Sequence, residues 1–312
     1  MNFQQLEYIV AVDQHRHFLK AAESCNVTQA TLSMMIKKLE EELGVVIFDR
    51  SKQPVIPTEV GIEVLNQARK ILQESEQMHQ LVQLEKGEIS GELRVGIIPT
   101  VAPYLLPLFI KKFTNKYPKV VLKVSELTTE DLVVKLKSSQ IDIGILATPL
   151  KEKSIKEFPL YYEQYMLYIG PGEKGFKKEF VLPKDIDVNR LLLLEEGHCM
   201  RNQVLNLCEL KKQSQVSSGL MYEAGSIDTL INLVDTDFGM TVIPEFVIEK
   251  LSKSQKKQLR PFKDPVPVRE ISMVMNYEHV KARLVRALRD TILKCIPSKE
   301  QRKEKLRVLL ID

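Results

Sequence analysis

Apolar residues recur at helical spacing near the start of the chain and predict three helices. The first apolar face ends near Asp13, and the second stops around Cys25 and Asn26. Thr28 suits the N-cap of the third helix, which Gly44 ends. Helix, helix, tight turn and longer helix is the pattern of a helix-turn-helix. The residues that define the three faces are Leu6, Ile9, Val10 and Val12, then Phe18, Leu19, Ala21 and Ala22, then Leu32, Ile36, Leu39 and Leu43.

The outward face of the third helix carries polar and basic side chains that suit DNA. The segment VVIFDRSKQPVIPT then predicts two short strands joined by a polar turn, which together would form a wing. Residues 1–58 hold six Lys or Arg against seven Asp or Glu, so the prediction depends on the motif and on where the charges lie. The expected DNA contacts are Thr28, Gln29, Thr31, Ser33, Lys37 and Lys38 on the helix, and Arg50 and Lys52 on the wing.

A long helix without proline is predicted from Glu59 to about Gln83. Its apolar positions alternate at spacings of four and three, a narrow stripe typical of two paired helices. The stripe predicts a dimerisation helix, and packing against its own domain is the alternative. Residues 86–91 are short and polar and would form a hinge. The stripe consists of Val64, Ala68, Ile71, Ser75, Met78 and Val82.

The remaining two thirds of the chain alternate between β-rich runs and segments of helical period. Such alternation predicts an α/β domain with crossover helices. A second lobe is indicated by residues 163–170 and by the leucine run 191–194, which has the composition of a buried strand. The chain then returns to the first lobe through a strand at 270–276 and a last helix. The β-rich runs of the first lobe are 93–98, 120–127 and 141–147.

Two of the four cysteines lie in the stretch EEGHCMRNQVLNLC. Cys199 follows the leucine run and begins a short helical pattern, with His198 beside it and Arg201 close by. A helix N-terminus and a cation favour thiolate over thiol. An intact helix would hold Cys199 and Cys208 roughly 13 Å apart, whereas a disulfide needs Cα atoms within about 7 Å. The pair is therefore either a redox switch that requires local refolding or two ordinary buried thiols.

Composition and motifs narrow the function classes. A chain of 312 residues with 44% hydrophobic residues can bury two or three cores, and four cysteines are too few for a disulfide scaffold. The sequence has no secretion signal and no apolar run of membrane-spanning length, so we expect a cytoplasmic location and no membrane partner. It has no Walker loop, dinucleotide fingerprint, HExxH or paired CxxC, so we expect no cofactor and no metal.

The N-terminal sequence resembles the LysR-type transcriptional regulators. The resemblance lies in FxxAAExxxVTQATLSxxIKKLEEELGVxIFDR followed by TEVG, and Ala30 stands where the family usually has proline. It implies a winged helix-turn-helix and a two-lobed α/β effector domain similar to type 2 periplasmic binding proteins. The expected divisions are a DNA-binding domain at 1–58, a linker helix at 59–85, a hinge at 86–91, a regulatory domain at 92–297 and a charged tail at 298–312. Within the regulatory domain, lobe I would cover 92–162 and 266–297, and lobe II 163–265.

The stretch EEGHCMRNQ, Cys208 and the segment AGSIDTLINLVDTDFGMTVIP are similar to the peroxide-sensing LysR-type regulators. That resemblance implies that Cys199 is the peroxidatic thiol and Cys208 the resolving thiol of a redox switch. Asn202 departs from the acid expected in many relatives. The implied peroxide pocket consists of Thr100, Thr129, His198, Arg201, Gln203 and Arg269.

The resemblance implies a regulator and not an enzyme. Its expected partners are double-stranded DNA, hydrogen peroxide, further copies of itself as a homodimer and then a dimer of dimers, a thiol reductant system that resets the switch, and RNA polymerase. One alternative is a LysR-type regulator that binds a small-molecule effector between the lobes. Another is a thiol peroxidase, which has no use for a wing. The tail from Ser298 is expected to form a surface helix and carries no assigned function.

Overall fold

The computed structural model describes residues 1–84, 89–172, 180–208, 224–276, 281–297 and 307–309. The chain divides into two compact units, one of Met1–Ile89 with Ser138–Gln140 and one of Ser90–Lys137 with Ile141–Asp312. Half of the predicted hinge, residues 86–88, lies outside the described residues, as do tail residues 298–306 and 310–312.

The first unit opens with three helices, α1 (Phe3–His15), α2 (Phe18–Ser24) and α3 (Gln29–Leu43). The Thr28 side chain caps α3 by accepting a hydrogen bond from the Thr31 N–H at 3.2 Å. Gly44 ends the helix in the left-handed region, at φ +67°, where glycine carries no Cβ penalty. The predicted inward faces are buried at Leu6, Ile9, Leu32, Ile36 and Leu39, which confirms the helix-turn-helix.

A two-stranded wing follows, with β1 (Phe48–Asp49) antiparallel to β2 (Ile56–Pro57). The long helix α4 (Glu59–Leu84) comes next. Its predicted stripe is divided between two environments. Val64, Ala68 and Ile71 pack on the core of the first unit, whereas Met78 is 67% exposed. The first half of the stripe therefore packs α4 against its own domain, which was the alternative interpretation. Dimerisation through the second half stays a prediction.

A buried ion pair fixes α4 on α1. The Asp13 carboxylate contacts the guanidinium of Arg69 on α4, and it also pairs with Arg16 at 2.9 Å. Asp13 and Arg69 are both buried. Because a buried charge is costly unless it is paired, these contacts favour one orientation of α4 on this unit.

The second unit contains eight strands and seven α-helices among the described residues. Six strands form a continuous path, in the order β4-β3-β5-β9-β6-β7, while β10 pairs with β9 and β8 pairs with β6. The strands are β3 (Gly91–Ile97), β4 (Val120–Glu126), β5 (Ile143–Thr148), β6 (Ile155–Ile169), β7 (Met240–Pro244), β8 (Leu259–Pro261), β9 (Pro267–Asn276) and β10 (Arg307–Val308). The helices are α5 (Ala102–Lys116), α6 (Thr129–Lys137), α7 (Cys199–Leu207), α8 (Ile227–Asp235), α9 (Glu245–Ile248), α10 (Lys253–Lys256) and α11 (Ala282–Cys295).

Two strands join the two lobes. β3 is parallel to β4 and β5, whereas β9 is antiparallel to both β5 and β6. β6 is long enough to pair with β9 over its first part and with β7 and β8 over its last part. Its register on β9 shifts between Pro159 and Tyr161, so Leu160 forms a bulge. This arrangement confirms the predicted two-lobed α/β domain.

Two expectations about secondary structure were wrong. The leucine run 191–194 is not a strand, because only isolated bridges form, from Leu191 to Met240 and from Leu194 to Ala224. The described part of the tail is not a surface helix either. Arg307 and Val308 form β10, which runs parallel to β9 opposite Pro267 and Val268.

The first turn of α4 predicts the effect of one glycine substitution. A Cβ on Gly61 would overlap the main-chain carbonyl oxygen of Ile47, next to the wing. We expect Gly61→Ala to lower the free energy of unfolding by about 1–3 kcal/mol, because a backbone atom has little room to move. Urea unfolding followed by circular dichroism measures the change. Ile62→Ala, at a half-exposed neighbouring position, is the control. A helix-propensity effect alone would make Gly61→Ala stabilising, which would contradict the clash.

Candidate functional site

Two cysteines bracket α7. Cys199 is the first residue of the helix and is 4% exposed, and Cys208 is its C-cap. Both thiols are free. Burial raises the pKa of the Cys208 thiol from its ordinary 9.0 to about 11, so Cys208 is a neutral thiol at physiological pH.

The helix itself keeps the two thiols apart. Nine residues of α7, from Cys199 to Leu207, separate the ends at which the cysteines lie. At 1.5 Å per residue this corresponds to roughly 13 Å along the axis, well beyond the reach of about 7 Å between Cα atoms that a disulfide tolerates. A bridge between them requires α7 to unwind.

Arg269 is the buried cation of the site. It lies on β9 directly opposite Glu163 of β6 and is fully buried. Its Nε donates to Glu163 Oε2 at 2.9 Å, and its Nη2 lies 2.8 Å from the same oxygen. The far side of the guanidinium donates to Thr100, from Nη1 to Oγ1 at 3.0 Å and from Nη2 to the carbonyl oxygen at 3.1 Å. The geometry fixes the guanidinium in one plane.

The charge of Arg269 reaches the Cys199 thiol. Burial is the largest single effect on the pKa of Arg269 and acts to lower it, but Glu163, Tyr165, Tyr161 and Cys199 together raise that pKa above its ordinary value. Burial raises the pKa of the Glu163 carboxyl, and Arg269 acts in the opposite direction. Because arginine does not lose its proton in proteins, a permanent cation lies near the Cys199 sulfur.

Gln203 links α7 to the strands beneath it. The side chain is completely buried in the middle of the helix. Its Oε1 accepts a hydrogen bond from the Tyr165 hydroxyl at 2.7 Å, and its Nε2 donates to the Leu309 carbonyl oxygen at 2.9 Å. Burial raises the pKa of Tyr165, so its hydroxyl stays protonated and acts as a donor.

The other residues of the expected pocket have different surroundings. His198 is the N-cap residue of α7, with its Nε2 3.6 Å from a Glu195 carboxylate oxygen. Arg201 donates to the Leu194 carbonyl oxygen at 2.7 Å, so it holds the leucine run against α7. Thr129 begins α6, and its Oγ1 is buried without a hydrogen-bond partner in the described part of the chain.

The loop that precedes Cys199 approaches the start of α6. A Cβ built on Gly197 would lie 3.6 Å from Thr128 Cγ2, and Gly197 itself has φ +91°. The structure thus brings Thr100, Arg269 and Cys199 together and places Thr129 next to a residue that contacts this loop. Arg201 instead lines a separate cavity of about 10 Å³, roughly the space of one water. The cavity is lined by Leu192, Leu193, Leu194, Met200, Arg201, Val204, Leu230, Thr241 and Val242.

Sequence reasoning missed Glu163 and Tyr165. Side chains alternate across a strand, so the positions 161, 163 and 165 share one face of β6 after the bulge. An acid within such a buried run needs a cationic partner. That signal was available in the sequence, but the identity of the partner, Arg269, requires the pairing of β6 with β9.

The predicted DNA-binding residues lie on the exposed side of α3 and on the wing. Gln29, Lys37, Lys38 and Lys52 are exposed. Lys37 lies 3.8 Å from Glu41, and both side chains are well exposed, so this contact contributes little. The hydroxyls of Thr28 and Thr31 are 2.9 Å apart at the start of the helix, where Thr28 serves as the cap.

Arg50 is partly engaged within the first unit. Its Nη2 forms an ion pair with Glu40 at 2.8 Å, its Nη1 donates to Ser33 Oγ at 3.4 Å, and its guanidinium carbon lies 5.2 Å from the centre of the Phe18 ring. Arg50 is nevertheless 39% exposed at its side chain. The contacts connect the wing to α3 and fix the orientation of both.

The described residues contain no group of three or more His, Cys, Asp or Glu side chains that could hold a metal ion. In the same part of the chain, every helix is too short or too polar to cross a membrane.

Two family matches cover most of the chain. Residues 3–62 match the family described as bacterial regulatory helix-turn-helix protein, lysR family, and residues 86–295 match the LysR substrate binding domain. The chain therefore belongs to the LysR family of transcriptional regulators.

Individual relatives share this architecture. The DNA-binding transcriptional dual regulator OxyR of Escherichia coli K12 is 35% identical over 274 residues, which cover 88% of this chain and 89% of that protein. A full-length Pseudomonas aeruginosa OxyR with a cysteine-to-aspartate substitution is 33% identical, with a TM-score of 0.81 over 95% of this chain and 99% of that one. An H2O2-bound cysteine mutant of Corynebacterium glutamicum OxyR is 27% identical, with a TM-score of 0.59 over 94% of this chain and 92% of that one.

The burial of Cys208 predicts how its alkylation depends on pH. With a pKa of about 11, far less thiolate is present at pH 9 than in an unfolded thiol whose pKa is 9.0. We expect iodoacetamide to modify Cys208 of reduced, folded protein roughly 50-fold more slowly at pH 9 than the same residue in urea, and the rate to rise towards pH 11. Peptide mass spectrometry of the Cys199→Ser variant, kept under reductant, measures this residue without interference from a bridge. Equal rates in folded and unfolded protein would contradict the burial effect.

Proposed function

We propose that this chain is a DNA-binding transcriptional regulator that senses hydrogen peroxide through a disulfide between Cys199 and Cys208. One observation carries the proposal: the two thiols lie at opposite ends of one short helix, and only the first is near the buried cation Arg269. The relatives named as peroxide regulators, together with the helix-turn-helix, support the same function.

Chemistry begins at Cys199. The thiolate attacks one oxygen of hydrogen peroxide, the O–O bond breaks, and the sulfur keeps that oxygen as a sulfenic acid while the other leaves as water after taking up a proton. Thr100, whose hydroxyl is held by Arg269, and Thr129, whose hydroxyl has no partner within the described residues, are the proposed polar groups that receive peroxide.

Cys208 completes the switch. Once α7 has unwound, the Cys208 sulfur attacks the sulfenic sulfur, an S–S bond forms, the S–O bond breaks and water leaves. The two sulfurs lose two electrons in total, and the peroxide oxygens gain them. Because Cys208 is partly buried in the reduced form, unwinding also releases it to the solvent, where it ionises more readily.

Refolding of the regulatory domain would alter how the helix-turn-helix binds DNA. We propose that α3 enters the major groove, that Lys52 and Arg50 of the wing approach phosphates, and that the second half of α4, where Met78 is exposed, pairs two chains. Refolding around α7 would then rearrange contacts between regulatory domains and change the spacing of two α3 helices on the DNA. A thiol reductant would reverse the bridge.

Peptide mapping after stoichiometric peroxide tests the switch. We expect wild-type protein to yield a Cys199–Cys208 linked peptide, and we expect none from Cys199→Ser, because the attacking sulfur is gone. Cys25→Ser and Cys295→Ser are matched controls, since both thiols lie outside α7 and should leave the bridge intact.

Three outcomes would contradict this function. Absence of the linked peptide from oxidised, catalase-free wild-type protein would remove the switch. Thermal stabilisation of the reduced protein by a small metabolite, with no bridge after peroxide, would indicate an effector-binding regulator. Continued consumption of peroxide beyond stoichiometry in the presence of a reductant would indicate a thiol peroxidase.

The DNA contacts are tested by their dependence on salt. We expect Lys38→Gln to reduce the slope of log K against log salt by about 1 on a mixed-sequence duplex, because one phosphate contact releases about one counterion. Lys70→Gln, an exposed lysine on α4, should leave the slope unchanged. Fluorescence anisotropy across a salt series measures both. An identical slope for wild type and Lys38→Gln would place Lys38 away from the DNA.

A further inference from the structure

The described part of the C-terminal tail is bound to the strand that carries Arg269. Arg307 and Val308 pair in parallel with Pro267 and Val268 of β9, and the Leu309 N–H donates to the Val268 carbonyl oxygen at 2.8 Å. Leu309 is 4% exposed. We call Arg307, Val308 and Leu309 the C-terminal latch. The residue that follows Val268 is Arg269, so the latch is attached next to the cation.

The same three residues also reach α7. The Leu309 carbonyl oxygen accepts from Gln203 Nε2 at 2.9 Å, and the other end of that amide accepts from the Tyr165 hydroxyl at 2.7 Å. Gln203 is completely buried and lies between the two cysteines in the chain. One amide therefore joins the helix to β6 on one side and to the latch on the other.

Unwinding of α7 must break this arrangement. A buried amide that loses its partner while it stays buried is strongly unfavourable, so Gln203 has to leave the interior when the helix opens. The Leu309 carbonyl and the Tyr165 hydroxyl lose their partner at the same moment. The helix that separates the thiols is thus held closed by groups that lie outside α7.

We propose that Leu309 is a positioning residue of the redox site, and that the C-terminal latch, acting through Gln203, sets how readily α7 opens. The latch opposes unwinding of the reduced helix and thereby slows closure of the Cys199–Cys208 bridge. This inference rests on the proposed function for its redox consequence, but the effect of the latch on the helix can be measured without peroxide.

Amide hydrogen exchange of the reduced full-length protein is the direct test. Leu309→Pro removes the N–H that donates to Val268, and Gln203→Leu removes the amide. We expect either change to speed exchange within Cys199–Leu207 about tenfold and to leave β3 unchanged, since the latch makes no hydrogen bond there. Leu309→Met, which keeps the backbone donor and an apolar side chain of similar size, should retain wild-type exchange.

The redox potential of the cysteine pair provides a readout that general destabilisation does not move in the same way. A tenfold increase in the opening equilibrium of α7 in the reduced protein should make the reduction potential of the cysteine pair about 30 mV more negative. For a two-electron couple, about 30 mV corresponds to a tenfold change in the equilibrium constant. The double variant Gln203→Leu with Leu309→Pro should equal the Gln203→Leu variant, because the latch acts on α7 through the Gln203 amide, which the first change has already removed.

The outcomes separate the latch from the switch. Unchanged exchange of α7 in both single variants would overturn the latch even if the bridge forms normally. Fully additive effects in the double variant would also overturn it, because Leu309 would then act independently of Gln203. Faster exchange in both variants together with no bridge in wild-type protein would show that the latch stabilises α7 and would refute the proposed disulfide.

Discussion

A buried pair of opposite charges is the constraint on which the regulatory unit depends. Glu163 and Arg269 are each about 1% exposed and lie opposite one another on the two strands that join the lobes. Removing one partner from such a pair leaves an uncompensated charge in the interior, which costs about 3–5 kcal/mol. The remaining donors of Arg269 are used by Thr100, so the strand pairing, the end of β3 and the environment of Cys199 are all fixed by one guanidinium.

The proposed switch combines a rigid support with a helix that unwinds. The strands beneath Cys199 are held by the ion pair, and α7 is held mainly by its own hydrogen bonds, the buried apolar face that includes Val204 and Leu207, and the Gln203 amide. Such a division suits a two-state element, because opening the helix does not require the supporting sheet to separate. In the proposed mechanism, oxidation by a small molecule is thereby converted into a large local change of structure.

Local patterns predicted most of the fold, and long-range pairing accounts for what they missed. Helix caps and apolar stripes are encoded within a few residues, so α1 to α4 and the wing followed from the sequence. The leucine run 191–194 had the composition of a strand but has no continuous neighbour. Glu163 and Leu309 acquire their roles only through pairing with β9, a contact that no local pattern contains.

The bulge at Leu160 determines which kinds of mutation the protein can tolerate in this part of β6. Because one extra residue reverses the faces of a strand, the inward orientation of Glu163 and Tyr165 depends on the number of residues after Pro159 and not only on their identity. Substitutions in this short segment are graded in effect, whereas the insertion or deletion of a single codon would turn both side chains to the opposite face. Selection in this part of β6 therefore acts on the number of residues as well as on their identity.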